Sequence, residues 1–263
     1  MRTFVDPSDD PVDGHCGAAE TVAFAERCRT AGLQVMVDMH FGDTWNSLGK
    51  QNPPAAWAGL SYADMRQEMY DYVYHLMNQL KTAKVTPAWV QLGNETNLGI
   101  CGATGSVTYA PAQMTGLLNA AHEMVKEVFP AAQTVIHLAQ PQNYSTVVNW
   151  LDTYSEYGGN WDVTGFSSYA SGTATIDTIV ANYVDCQARY GKLVIQVEFG
   201  GRYDRADRTY TDLAYFIQRN RSAGVQGLFY WEPEMYTPFD TYTMGAWNPT
   251  TRMPTRAMDA FLV

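Results

Sequence analysis

Two glutamates stand 103 residues apart, Glu95 in AWVQLGNETNLGI and Glu198 in LVIQVEFG, each closing a short apolar run that reads as a buried strand. Carboxyl groups held in a pair can divide one reaction between them, one protonating a leaving group while the other attacks or activates water. Direct attack on a sugar carbon needs the two about 5–5.5 Å apart. Asn94 adds an amide beside Glu95, able to hydrogen-bond a sugar hydroxyl next to the reacting carbon. Each carboxylate also has an ordinary alternative as a helix N-cap, a loop acceptor or an ion-pair member.

Both residues must be positioned by the elements that precede them. Short β-rich runs alternate with longer helical patterns along the chain, the sign of parallel βα units. Strands are expected at 2–5, 34–40, 88–94, 134–139, 161–168, 193–199 and 225–231. Helices are expected at 18–31, 61–83, 111–129, 143–157, 174–190 and 209–222, with a short one near 254–262. In the second helix Met65, Met69, Tyr72, Leu76 and Leu80 recur at three- and four-residue spacing, an apolar stripe to lay on a sheet. No linker, repeat or low-complexity segment divides residues 1–263, which are taken as one domain.

Alternation over this length predicts an α/β fold of the (β/α)8 barrel type, in which functional groups gather where strands meet the following loops. The strand ends carry Asp38, His40, Asn94, Glu95, His137, Ser168, Tyr169, Glu198 and Trp231, nearly all polar or aromatic. A doubly wound open sheet is the alternative, but no Gly-rich phosphate loop follows any strand. Seven strands are one short of a closed barrel, and the expectation is that the first strand and its helix lie outside this chain. The loop 41–60 is the longest after a strand, and a loop of that length generally has a function.

Composition narrows the partners. The formal charge of −10 argues against nucleic acid and anionic membranes, which the mean field would repel. Aromatics make up 13% of the chain, suited either to the apolar faces of sugars or to ordinary core. Four cysteines without CxxC or Cys/His spacing argue against a zinc site and leave disulfide pairing open. No apolar run could cross a bilayer, and the first residues lack the pattern of a signal peptide.

LQVMVDMHFGDTWNSLGKQNPPAAW, WVQLGNET, DVTGFSSY, LVIQVEFG and GLFYWEPE, in this order, resemble glycoside hydrolase family 53, the arabinogalactan endo-β-1,4-galactanases. The resemblance runs from Arg2 to the C-terminus. It implies a retaining barrel enzyme with Glu95 as general acid/base and Glu198 as nucleophile, acting on the pectic polysaccharide galactan. Arg2 then matches a strand-end arginine under the nucleophile. His40, Asp43 and Trp45 match the lining of the substrate cleft, and His137 a histidine of the sugar site. Tyr169 matches a tyrosine that approaches the nucleophile, and Trp231 the aromatic platform at the point of cleavage. On the residues alone, His137 could be a satisfied core histidine, Arg2 a surface group and Trp231 core packing, and Lys50 and Gln51 read as loop or rim groups.

The chain departs from the family pattern at Ser168, where two aromatics are common in that motif, and in a compact loop after Trp231. Some relatives hold calcium in a longer loop there. Here no cofactor is expected, with Glu234, Asp240 and backbone carbonyls as the oxygens that would serve a calcium ion. A monomer is expected, and the resemblance further implies a secreted or periplasmic protein. Other β-glycanases of the same clan, acting on mannan or glucan, and a non-catalytic sugar-binding remnant are the rival expectations.

Overall fold

A computed structural model of the chain describes residues 1–8, 14–235 and 242–263. In chain order its elements are β1 (Arg2–Thr3), α1 (Ala18–Thr30), β2 (Met36–Met39), α2 (Tyr62–Thr82), β3 (Trp89–Leu92), the short β4 (Gly99–Ile100) and β5 (Gly105–Ser106), α3 (Pro111–Val128), β6 (Gln133–Ala139), α4 (Tyr144–Glu156), β7 (Val163–Ser167), α5 (Thr173–Tyr190), β8 (Leu193–Phe199), α6 (Ala206–Ser222) and β9 (Leu228–Tyr230). A 3-10 helix, Arg256–Leu262, closes the chain. All seven expected strands and six long helices are present, within a few residues of the expected bounds. The chain divides into two compact units, residues 1–138 with 145–163 and residues 139–144 with 164–263.

The first unit is built on a parallel run in the order β1, β2, β3, β6. Strand register brings its polar side chains together. Asp38 lies opposite Arg2 on one side and Gln91 on the other. Because side chains repeat every second residue on a strand, His40 continues the face of Asp38, and His137 the face of Val135, the partner of Gln91. One polar row is therefore assembled from strands far apart in sequence. The expected stripe on α2 is buried at Met65, Met69, Leu76 and Leu80, with Val73 and Met77 added. Ser61 caps that helix, accepting from the Asp64 amide at 3.2 Å while its hydroxyl donates to the Asp64 carboxylate at 2.7 Å.

In the second unit β7, β8 and β9 are neighbours in that order. β8 and β9 run parallel, with an irregular register between Gln196 and Phe199. Behind them an aromatic chain fills the core: Phe166 stacks on Tyr183 at 5.0 Å, Tyr183 on Phe216 at 6.4 Å, and Phe199 meets Phe216 and Tyr230 edge-on at 6.2 and 5.6 Å. Much of the aromatic content is thus packing. The antiparallel pair β4–β5, absent from the sequence expectation, forms at Gly99 and Gly105, where a Cβ would come within 2.1 Å of the opposite backbone. Among the described residues, no helix is long and apolar enough to cross a membrane.

Candidate active-site residues

In the first unit the strand β3 ends in Gly93-Asn94-Glu95. Gly93 has φ +89°, and a Cβ there would sit 2.6 Å from Thr96 Cγ2, so the turn requires glycine. Glu95 follows with φ 46° and ψ 56°, left-handed backbone that costs a non-glycine residue roughly 1–2 kcal/mol. Strain of this kind persists only where surroundings over-determine it. Those surroundings are visible on every side. Thr96 donates its hydroxyl to His137 O at 3.0 Å, and the Trp150 indole donates to Thr96 O at 2.8 Å. Gln51 Nε2 donates to the carbonyls of Asn94 and Glu95 at 2.8 and 3.0 Å. The Leu48 amide donates to Glu95 Oε2 at 2.9 Å.

The polar row of the sheet lies next to this turn. Gln91 Nε2 donates to Asp38 Oδ1 and lies 3.0 Å from His137 Nδ1. The Glu95 amide also lies against that nitrogen, at 3.2 Å. Asn94 Oδ1 is 3.0 Å from the same nitrogen, while Asn94 Nδ2 donates to Asn46 O at 2.9 Å. Burial holds the His137 pKa down to about 4, against the opposing pull of Glu95 and Asp38. His137 is therefore a neutral imidazole at physiological pH.

His40 and its loop form the wall of the same cluster. The Asn46 amide donates to His40 Nδ1 at 3.0 Å, leaving Nε2 to face Asp38 Oδ2 at 3.2 Å. Fully buried, His40 acts on its neighbours, with Phe4 and Trp45 edge-on to its ring. The Arg2 guanidinium lies 4.1 Å over the Trp45 ring, a cation–π contact. Asp43 faces backbone: its carboxylate accepts from the amides of Asp6 and Ala55 at 3.1 and 2.7 Å. Asn46 ties the loop shut, bonding His40 O, Asn52 O and the Asn52 amide at 2.8–3.0 Å.

In the second unit β8 delivers Glu198, 6% exposed. The Tyr169 hydroxyl donates to its Oε2 at 2.8 Å, and the Ser168 amide donates to its main-chain oxygen at 3.0 Å. Burial and the negative charge of Glu198 push the Tyr169 phenol well above its ordinary pKa, so it remains a donor. The close approach depends on Gly200, where a Cβ would stand 2.7 Å from Tyr169 Cε1 and 2.9 Å from the Tyr242 hydroxyl. Trp231 follows β9, half-buried, its amide donating to Phe199 O at 2.7 Å. Tyr230 braces that strand end, its hydroxyl accepting from the Gly201 amide at 3.0 Å.

Of the expected residues of the first unit, Arg2, His40, Trp45, Asn94, Glu95 and His137 are linked by hydrogen bonds and ring contacts, while Asp43 bonds the amides of Asp6 and Ala55; Tyr169 and Glu198 are bonded to each other in the second unit. Asn46, Gln51, Gln91, Gly200 and Tyr242 carry that geometry and were not expected at the site from sequence. Gln51, read there as a loop or rim group, is buried at 7% exposure. A signal existed for Asn46 and Gln51, both polar residues in the one long loop. Among the described residues, no group of three His, Cys, Asp or Glu side chains could hold a metal ion. Asp240, named as a possible calcium ligand, lies outside the described residues.

Comparison with known proteins gives this geometry a context. The model of the family described as Glycosyl hydrolase family 53 matches residues 1–220. An arabinogalactan endo-β-1,4-galactanase of Thermothelomyces thermophilus is 28% identical over 85% of this chain and 75% of its own length. One of Cellvibrio japonicus is 27% identical over 79% of this chain and 63% of its own. Among solved structures, the family 53 catalytic domain of Ignisphaera aggregans superimposes with a TM-score of 0.89 at 24% identity, covering 99% of this chain and 83% of that one. The fold is the (β/α)8 barrel class expected from the strand–helix alternation, with seven of its alternating strands among the described residues.

Proposed function

Because the chain belongs to glycosyl hydrolase family 53 and is a glycosidase, we propose that it cleaves internal β-1,4-galactosidic bonds of galactan and arabinogalactan with net retention. The family match carries the proposal, together with relatives named as arabinogalactan endo-β-1,4-galactanases. Local geometry supports the two roles. A carboxylate whose Oε2 accepts from the Tyr169 phenol, as in Glu198, is held in one rotamer for attack. A carboxyl on strained backbone, with a main-chain amide on its Oε2, is oriented for proton transfer, as in Glu95.

In the first step a Glu198 oxygen bonds to the anomeric carbon as the glycosidic C–O bond breaks, and Glu95 gives its proton to the departing oxygen. In the second, Glu95, now a carboxylate, takes a proton from water, whose oxygen attacks the same carbon and releases Glu198. Asn94 would hydrogen-bond the sugar hydroxyl beside the reacting carbon. Arg2, His40, Asp43, Trp45, His137, Tyr169 and Trp231 would bind the sugar or hold its surroundings. No organic cofactor enters these steps. The enzyme would act as a secreted, single-domain monomer on a polymer outside the cytoplasm.

Glu198→Gln should abolish turnover on galactan while circular dichroism and the thermal transition are preserved. Near-normal activity in that variant would overturn the assignment. Action on mannan or glucan with none on galactan, in a panel of polysaccharides, would move the substrate to another branch of the clan.

A further inference from the structure

The loop 41–60 holds a side chain that bonds both its own turn and the backbone of the candidate acid. Ser47 and Lys50 exchange both backbone hydrogen bonds, at 2.8 and 2.9 Å, and so close a two-residue turn with Leu48 and Gly49 at its tip. Gln51 comes immediately after. Its carboxamide nitrogen has two protons and three carbonyl acceptors in reach: Ser47 O at 3.0 Å, Asn94 O at 2.8 Å and Glu95 O at 3.0 Å.

Asn94 O and Glu95 O are consecutive carbonyls. They converge on one donor only if the two peptide units flanking Glu95 turn to the same side, which the left-handed conformation of Glu95 achieves. The Gln51 amide therefore holds these two peptide units in the orientation they have with Glu95 left-handed. Its bond to Ser47 O holds the turn against the same point, and that turn sends the Leu48 amide to Glu95 Oε2. The Gln51 main chain is anchored in turn by the Gly102 amide, which donates to Gln51 O at 2.5 Å.

We propose that Gln51 is a positioning residue for proton transfer: its amide fixes both the backbone of Glu95 and the turn that orients the Glu95 carboxyl. The proposal rests on Glu95 being the acid/base. It predicts a defect confined to steps that need that proton, which loss of folding would not produce.

The test uses Gln51→Met, similar in size with no donor, and Gln51→Glu, which keeps one donor only when protonated. Wild type, both variants and Glu95→Ala are assayed on galactan and on a dinitrophenyl β-galactobioside, whose leaving group departs without protonation. The expected result for Gln51→Met is a kcat/KM lower by roughly 10- to 100-fold on galactan, the scale of a misplaced catalytic group, with kcat/KM on the aryl glycoside preserved. The Gln51→Glu defect on galactan should shrink as the pH falls. Equal losses on the two substrates, full activity on galactan, or absence of a cooperative thermal transition in both variants would overturn the role. If instead wild type fails on galactan, or Glu95→Ala loses both substrates equally, the function proposed above fails, a separate outcome in the same assay.

Discussion

The hydroxyl of Tyr169 donates to Glu198 Oε2 across 2.8 Å, from a phenol that burial and the neighbouring carboxylate keep protonated. A hydrogen bond to a charged group is worth about 1.5–3 kcal/mol. Tyr169→Phe should therefore lower kcat/KM on galactan by roughly 10- to 100-fold if that energy is expressed in the transition state. The circular dichroism spectrum should not change. An unaltered rate would show that the bond has no part in the reaction.

Gly200→Ala tests the same contact from the other side. Its Cβ would stand 2.7 Å from Tyr169 Cε1, closer than carbon atoms approach. The Tyr169 ring must move, and overpacking of this kind costs about 1–3 kcal/mol. Loss of activity at least as large as in Tyr169→Phe is expected, with a lower melting temperature. Wild-type behaviour in both would remove Gly200 from the site.

Glu95→Ala should lose galactan hydrolysis by roughly 10²- to 10⁴-fold, the usual contribution of a general acid. On an activated aryl glycoside the first step should survive as a burst, and added azide should restore turnover. Its product should be a β-glycosyl azide, since azide would attack a covalent intermediate formed with inversion. An α-azide, or no rescue, would contradict the double displacement.

Stability should depend on His137. Its folded pKa of about 4 lies below the ordinary 6.5 because burial disfavours the charged ring, so between these values the unfolded chain binds more protons. The contribution is complete above pH 6.5 and is lost as the pH falls toward 4, about 3 kcal/mol across the window. Urea unfolding at pH 7 and pH 4.5 measures it. His137→Gln should flatten this limb, and identical limbs in the two proteins would show that the ring does not titrate there.

How much of this was legible before folding can be seen in Gln51 and Glu95. The strand–helix order and the stripe on α2 come from periodicity, which is local, and they are present as expected. Glu95 and Glu198 stood out because a carboxylate closing an apolar run is conspicuous within a few residues. Gln51 looked like a rim group, because its three acceptors come from Ser47, Asn94 and Glu95, and two of these lie more than forty residues away. The short pair at Gly99 and Gly105 was missed because two-residue strands have no period to detect.

The amino-acid sequence by itself determined the class of fold and singled out two candidate carboxylates, since hydrophobic spacing and residue type need no partner to be read. Tertiary structure alone decided which groups hold them. Parallel register set Asp38 beside Gln91, the left-handed turn at Glu95 brought two carbonyls to Gln51, and the bare Cα of Gly200 admitted Tyr169. Each is a contact between segments distant along the chain, and hydrogen bonds act over about 3 Å in space whatever the separation in sequence.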